Sequence, residues 1–185
     1  LQIAPYYNKP SQLGIFRHIK TVADKCGLPI VLYNHQGRTG VTIAPKTVKE
    51  LSDVCNIVAI KDASGGIDYT SEVLDRTGGK VAVLCGNDAW TLPLMAIGGA
   101  GVISVVSGIA PKDMSALCNA ALAGDFVKAR KLHYKLLPLI HATELEVNPV
   151  PVKTALCMMG KIKGDLRLPL APLAKENAAK LKAAL

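Results

Sequence analysis

The chain has 185 residues, half of them hydrophobic and 19% charged, a balance that supports a buried core and excludes disorder by composition. Its 22 Lys and Arg exceed its 14 Asp and Glu, giving a formal charge of +8. The basic residues are spread over amphipathic stretches without any RNA- or DNA-binding motif, so they read as solvated surface and no nucleic-acid partner is expected. No apolar run nears the roughly 20 residues of a membrane helix, and no basic-then-apolar leader is present, so no membrane association is expected.

Short apolar runs rich in β-branched residues predict strands at 1–4, 29–33, 57–61, 81–85 and 101–105. The segments between them have helical spacing. Ile15, Ile19 and Val22 share one face of the first, and Pro45, Val48, Leu51 and Val54 suit a short helix with proline in its first turn. Residues 67–74 suit a third helix stopped by Gly78-Gly79, and 89–97 a fourth stopped by Gly98-Gly99. After Ser107 the pattern predicts helices alone: 111–123, 126–142, 152–159 and 175–185. Gly124-Asp125 supplies a stop and then an N-cap, and Leu132, Leu136 and Ile140 mark the inner stripe of the helix that follows. Residues 1–107 are therefore expected to form β/α units and 108–185 a helical region.

The five cysteines at 26, 55, 85, 118 and 157 are odd in number and form no CxxC pair, which reads as buried, reduced thiols of a cytosolic protein. The four histidines make no metal-ligand pattern, so no metal is expected. Alternating strands and helices predict an α/β fold with a parallel sheet. Two arrangements remain open. In an open Rossmann-type sheet the phosphate fingerprint is missing, because Gly98-Gly99-Ala100-Gly101 precedes a strand and reads as a helix-to-strand turn. In an eight-unit barrel the five units are the later ones, and three absent units amount to about 90 residues. Leu1 rather than Met leads the chain, so a natural start upstream is expected.

Both arrangements place chemistry at the carboxyl ends of the strands. Lys61 closes a wholly apolar run, where partial desolvation favours the neutral amine that can attack a ketone and form a Schiff base. Tyr33 could relay a proton, and Arg38, in Gly37-Arg38-Thr39-Gly40, could hold a carboxylate. Taken singly, each also suits an ordinary role: an exposed strand-end lysine, a core tyrosine, a surface arginine.

Seven motifs in order resemble a known family: Tyr6-Tyr7-Asn8-Lys9-Pro10, Leu32-Tyr33-Asn34, Gly37-Arg38-Thr39-Gly40, Ile60-Lys61-Asp62-Ala63-Ser64-Gly65, Gly98-Gly99-Ala100-Gly101-Val102-Ile103-Ser104, Asn148-Pro149-Val150-Pro151-Val152-Lys153 and Leu166-Arg167-Leu168-Pro169-Leu170. Together they are similar to the carboxy-terminal part of the 4-hydroxy-tetrahydrodipicolinate (dihydrodipicolinate) synthase family, among the pyruvate-dependent class I aldolases that include N-acetylneuraminate lyase. The resemblance implies a (β/α)8 TIM barrel, of which this chain carries about five strands (the fourth to the eighth), plus a C-terminal helical region. It implies pyruvate held as an imine on Lys61, with no separate cofactor. Aspartate semialdehyde is then the second substrate, in lysine and diaminopimelate biosynthesis. Tyr33 matches the proton-relay tyrosine and Tyr7 a relay tyrosine contributed across a dimer interface. Arg38 matches the semialdehyde-carboxylate residue, Ile103 and Gly86 match pocket positions, and Tyr6 a position lining a lysine feedback site. The resemblance further implies a homotetramer built as a dimer of dimers, in the cytoplasm or a plastid stroma.

Three departures accompany the resemblance. The family's Thr-Thr-Gly-Glu segment is absent, His35-Gln36 replaces a more usual Val-Pro, and Cys85-Gly86-Asn87-Asp88 replaces a more usual Ser-Gly-Asp-Asp. The 185 residues alone are expected to lack synthase activity, the other readings being a related 2-oxo-acid (sugar-acid) aldolase or a non-catalytic fragment.

Overall fold

Five parallel strands lie side by side in the order in which the chain makes them: β1 (Gln2–Ile3), β2 (Ile30–Asn34), β3 (Ile57–Asp62), β4 (Ala82–Cys85) and β5 (Gly101–Val102). This is a computed structural model that describes residues 1–185. A doubly wound sheet reverses its strand order at a switch point; this order never reverses, and the Rossmann-type alternative falls. Crossovers repeated with one hand and one direction put every connecting helix on the same face. Those helices are α1 (Gln12–Cys26), the short α2 (Gln36–Thr39), α3 (Pro45–Leu51), α4 (Ile67–Thr77) and α5 (Thr91–Ala96).

The core confirms that sidedness. Leu32, Ile60, Val83 and Cys85 from the strands pack with Ile15 and Ile19 of α1, Val48 and Leu51 of α3, Val73 of α4 and Leu94 of α5. Since side chains alternate along a strand, the other face carries Val31, Tyr33, Ala59, Lys61 and Leu84. All of these but Ala59 are only partly buried. We call the first face covered and the second open. The β2–β3 register steps from Ile30 opposite Ile57 to Val31 opposite Ala59, so Val58 is an extra, bulged residue, 43% exposed.

Local signals set the element ends. The Ser11 hydroxyl caps α1 by accepting from Gly14 N, and Gly27 ends it in the left-handed region. Pro45 occupies the first turn of α3, and Gly78 terminates α4. The edge strands are shorter than their apolar runs. Pro5, which has no N–H, follows β1 directly after Ala4, and beyond β5 the chain enters a 3-10 turn at Val106–Gly108. The Gly98–Gly101 stretch is the helix-to-strand turn expected. A Cβ on Gly99 would lie 1.9 Å from the Leu94 side chain and 2.9 Å from its carbonyl oxygen, so only glycine fits.

Contacts divide the chain into two units, Leu1–Ile103 and Ser104–Leu185. The second contains α6 (Pro111–Leu122), α7 (Phe126–Thr143), α8 (Val150–Met158) and α9 (Lys175–Ala184), and no strand. The Asp125 carboxylate caps α7 by accepting from Lys128 N at 2.9 Å. The buried stripe of α7 is Ala129, Leu136, Leu139, Ile140, Ala142 and Thr143; it includes the expected Leu136 and Ile140 and leaves Leu132 half-exposed. Helix α8 starts two residues earlier than expected, because a proline in the first turn needs no N–H partner. Glu146 accepts from Ala174 N and Asn177 Nδ2 at the start of α9, and these bonds hold its carboxyl below the ordinary range.

The expectation of buried cysteines fails for three of five. Cys85 is buried and Cys118 half-buried, whereas Cys26, Cys55 and Cys157 are exposed; all five are free thiols. Cys26 is the last residue of α1, Cys55 lies in the turn after α3, and Cys157 is in the last turn of α8, where the chain faces outward. No helix is long and apolar enough to cross a membrane.

Candidate active site

Tyr33 and Lys61 face each other across the β2–β3 ladder on the open face. The Lys61 ammonium lies 4.3 Å from the centre of the Tyr33 ring, within cation–π range. Partial burial pushes the Lys61 pKa below its ordinary value. The Asp88 carboxylate opposes that shift, and the Arg38 guanidinium adds to it. Burial pushes the Tyr33 phenol up, against the pull of Arg38. An amine biased toward its neutral form thus sits beside a phenol that keeps its proton.

Arg38 lies on α2, a helical turn that the sequence pattern leaves as loop. The His35 carbonyl accepts from both Arg38 N and Thr39 N, and Gly40, at φ 73°, ends the turn. The Lys9 side chain lies against Gly40, where a Cβ would come within 2.9 Å of Lys9 Cε.

Gly86 donates its N–H to the Asp62 carbonyl at 2.6 Å. A Cβ there would lie 2.7 Å from that of Ala63 and 2.9 Å from the Asp62 oxygen, so the close approach of β4 to the end of β3 requires glycine. Ile103 follows β5, half-buried, and donates its N–H to the Cys85 carbonyl at 2.9 Å. Tyr6 and Tyr7 stand apart from the lysine, 67% and 88% exposed, in an open depression shared with Lys9, Arg38, Thr39 and Gly40. Tyr7 and Lys9 both hold positive φ, 65° and 46°, an uncommon backbone state for side chains of their size. The structure therefore brings together Lys61, Tyr33 and the Arg38 charge, and leaves Tyr7 and Tyr6 facing solvent.

Two residues near the lysine carried no role in the sequence reading. Asp88, at 6% exposure, supplies the negative charge that acts most strongly on Lys61. His35 packs edge-on to Tyr33, ring centres 5.8 Å apart, and burial, Arg38 and Lys61 all hold its imidazole below the ordinary pKa. The signal for His35 was strand alternation: two residues beyond Tyr33, it extends the same face. No group of three or more His, Cys, Asp or Glu is placed to hold a metal. The buried thiol of Cys85 donates to the Asn87 carbonyl, and desolvation pushes its pKa up to about 11, so it is a poor nucleophile.

The model of the Dihydrodipicolinate synthetase family matches residues 1–185. The 4-hydroxy-tetrahydrodipicolinate synthase of Citrifermentans bemidjiense is 55% identical over 183 residues, covering 99% of this chain and 63% of that protein. Among solved structures, dihydrodipicolinate synthase from Aquifex aeolicus aligns with a TM-score of 0.96 and 44% identity over 98% of this chain and 62% of that one. The chloride-inhibited dihydrodipicolinate synthase from Acinetobacter baumannii, solved in complex with pyruvate, aligns with a TM-score of 0.96 and 43% identity over the same shares. The chain thus spans less than two thirds of the length of these relatives.

Proposed function

The chain belongs to the dihydrodipicolinate synthetase family, and we propose that Lys61 is the Schiff-base lysine of a 4-hydroxy-tetrahydrodipicolinate synthase. The observation that carries this reading is the Lys61–Tyr33 pair on the open face, with the Arg38 charge acting on both groups. The neutral amine attacks the ketone carbon of pyruvate, and loss of water gives the imine. Removal of a methyl proton gives the enamine, whose carbon attacks the aldehyde of aspartate semialdehyde. The semialdehyde amine then displaces Lys61 and closes the ring. Tyr33 moves protons at the imine nitrogen and the new hydroxyl, and Arg38 holds the semialdehyde carboxylate. Gly86 and Ile103 line the pyruvate end. Arg38 favours this reaction over a sugar-acid aldolase, whose substrate presents no carboxylate at that position.

The open face supports a (β/α)8 barrel in the intact enzyme. Val31, Ala59 and Leu84 form an apolar strip on the face opposite the core packed by α1, α3, α4 and α5, and a barrel interior is filled by such side chains. Tyr7, exposed and in a strained backbone state, suits a residue completed by a second copy, in a cytoplasmic homotetramer, and Tyr6 beside it suits a feedback site. With β1 and β5 unpaired on their outer sides, the 185 residues by themselves are expected not to turn over.

Pyruvate and borohydride added to the full-length enzyme should leave a stable adduct, found by peptide mass spectrometry on Lys61. An intact, folded enzyme that traps no pyruvate there would sink the assignment.

A further inference from the structure

Behind the site, on the covered face, the residues next in sequence to Tyr33 and Lys61 are wired into a circuit of hydrogen bonds that the chain itself closes between Tyr69 and Thr70. Asn34 is 0% exposed and Asp62 4%, and they share the rung after the Tyr33–Lys61 pair. Asn34 Nδ2 donates to Asp62 Oδ1 at 3.4 Å, the longest link. Asp62 Oδ2 accepts from Thr70 Oγ1 at 2.7 Å, and Ser64 donates to the same carboxylate through its N–H and hydroxyl. Tyr69, beside Thr70 on α4, donates its hydroxyl to the Ile43 carbonyl at 2.6 Å. Ile43 N donates to Asn34 Oδ1 at 3.1 Å and closes the ring.

The circuit reaches each part of the site. Asn34 and Ile43 are the two ends of the segment that carries Arg38, so their bond shuts the base of the arginine turn. Asp62 fixes the end of β3 on which Lys61 sits, and its backbone carbonyl receives Gly86 N. A buried carboxylate with this many donors is satisfied and rigid, whereas one left unpaired is costly. Asp62 points to the opposite face of β3 from Lys61, so its bonds act on the lysine by fixing the strand end.

We propose that Asn34, Asp62, Tyr69 and Thr70 are positioning residues, a buried circuit that sets the arginine turn and the lysine strand end against each other. The inference rests on the reading of Lys61 and Arg38 given above, and it adds that aldehyde-substrate binding depends on groups that touch no substrate. Tyr69→Phe keeps the ring and removes one link. Asn34→Leu opens the base of the turn, and Asp62→Asn retains the acceptor for Ser64 N and Asn34 and serves as the conservative rescue.

In the full-length enzyme, turnover is normalised to lysine trappable by pyruvate and borohydride, which discounts unfolded protein. Tyr69→Phe should raise KM for the aldehyde about fivefold, the size of one lost hydrogen bond, with the pyruvate KM nearly unchanged. Asn34→Leu should do more and Asp62→Asn less. Amide exchange over residues 36–43, measured without substrate, should quicken in Tyr69→Phe and Asn34→Leu. Thermal destabilisation with unchanged aldehyde KM, or unchanged exchange in that segment, would overturn the positioning role. If unaltered enzyme traps no pyruvate, the Schiff-base reading fails, while the exchange arm still reports on the circuit.

Discussion

The two faces of the sheet are made from the same five strands and differ in almost everything else. On the covered face Leu32, Ile60 and Val83 are sealed by helices, and its polar residues, Asn34 and Asp62, are fully engaged. On the open face Tyr33 and Lys61 are half-buried and pressed against each other. The first face supplies rigidity, the second holds the residues to which the proposed chemistry is assigned, and a single step along the chain passes from one to the other.

Adjacent residues give the sharpest test of that division. Ile60→Ala should cost about 2–5 kcal/mol, the price of a cavity in a sealed core, read from urea unfolding. Lys61→Met should lose the pyruvate adduct entirely while folding at least as stably, since it removes a partly desolvated ammonium. If the two variants exchanged phenotypes, the assignment of faces would be wrong. Gly86→Ala comes next: the added methyl meets Ala63 and the Asp62 carbonyl, and about 1–3 kcal/mol is expected from such overpacking.

Acid response should separate the faces more gently. Burial and the Arg38 and Lys61 charges depress the His35 pKa, so the unfolded chain takes up that proton first. Stability should therefore fall as pH drops below the ordinary histidine value of 6.5 and level off once the folded imidazole protonates. His35→Val should remove that contribution, seen as a flatter profile of urea midpoint against pH. The smallest effect is expected in the helical unit. The exposed Lys135–Asp113 bridge between α6 and α7 should be worth within about 1 kcal/mol when Lys135→Ala removes it.

Much of this was legible in the residues, for identifiable reasons. The strands announced themselves as β-branched runs, and the helix stops at Gly78 and Gly124 are left-handed positions that glycine fills at little cost. Lys61 stood out because it closes a wholly apolar run at a strand's carboxyl end and lies within a family-like motif. Arg38 was singled out by its loop motif, whereas the α2 turn that holds it was not, because four residues carry no periodicity. The circuit of Asn34, Ile43, Tyr69 and Thr70 escaped because its members are joined by tertiary approach rather than by spacing. Cysteine burial was misjudged from composition, since a thiol at a helix end goes where the end points. On α7 the stripe was read correctly at Leu136 and Ile140 and missed at Leu132, because Leu132, Leu136, Leu137, Leu139 and Ile140 offer more apolar positions than one face can use.

The bulge at Val58 gives β3 one residue of slack. Val58 itself is a position that no partner on β2 claims; above it every residue is matched, rung by rung, through Asp62. A one-residue deletion between Ile57 and Ala59 can be absorbed by straightening the bulge, leaving the lysine where it is. The same deletion at Ile60 has only the strand beyond the bulge to draw on, and a slip there trades the places of Lys61 and Asp62, sending an ammonium into the sealed side and a carboxylate out of it. The chain's tolerance for changes in length therefore ends abruptly in the middle of a six-residue strand.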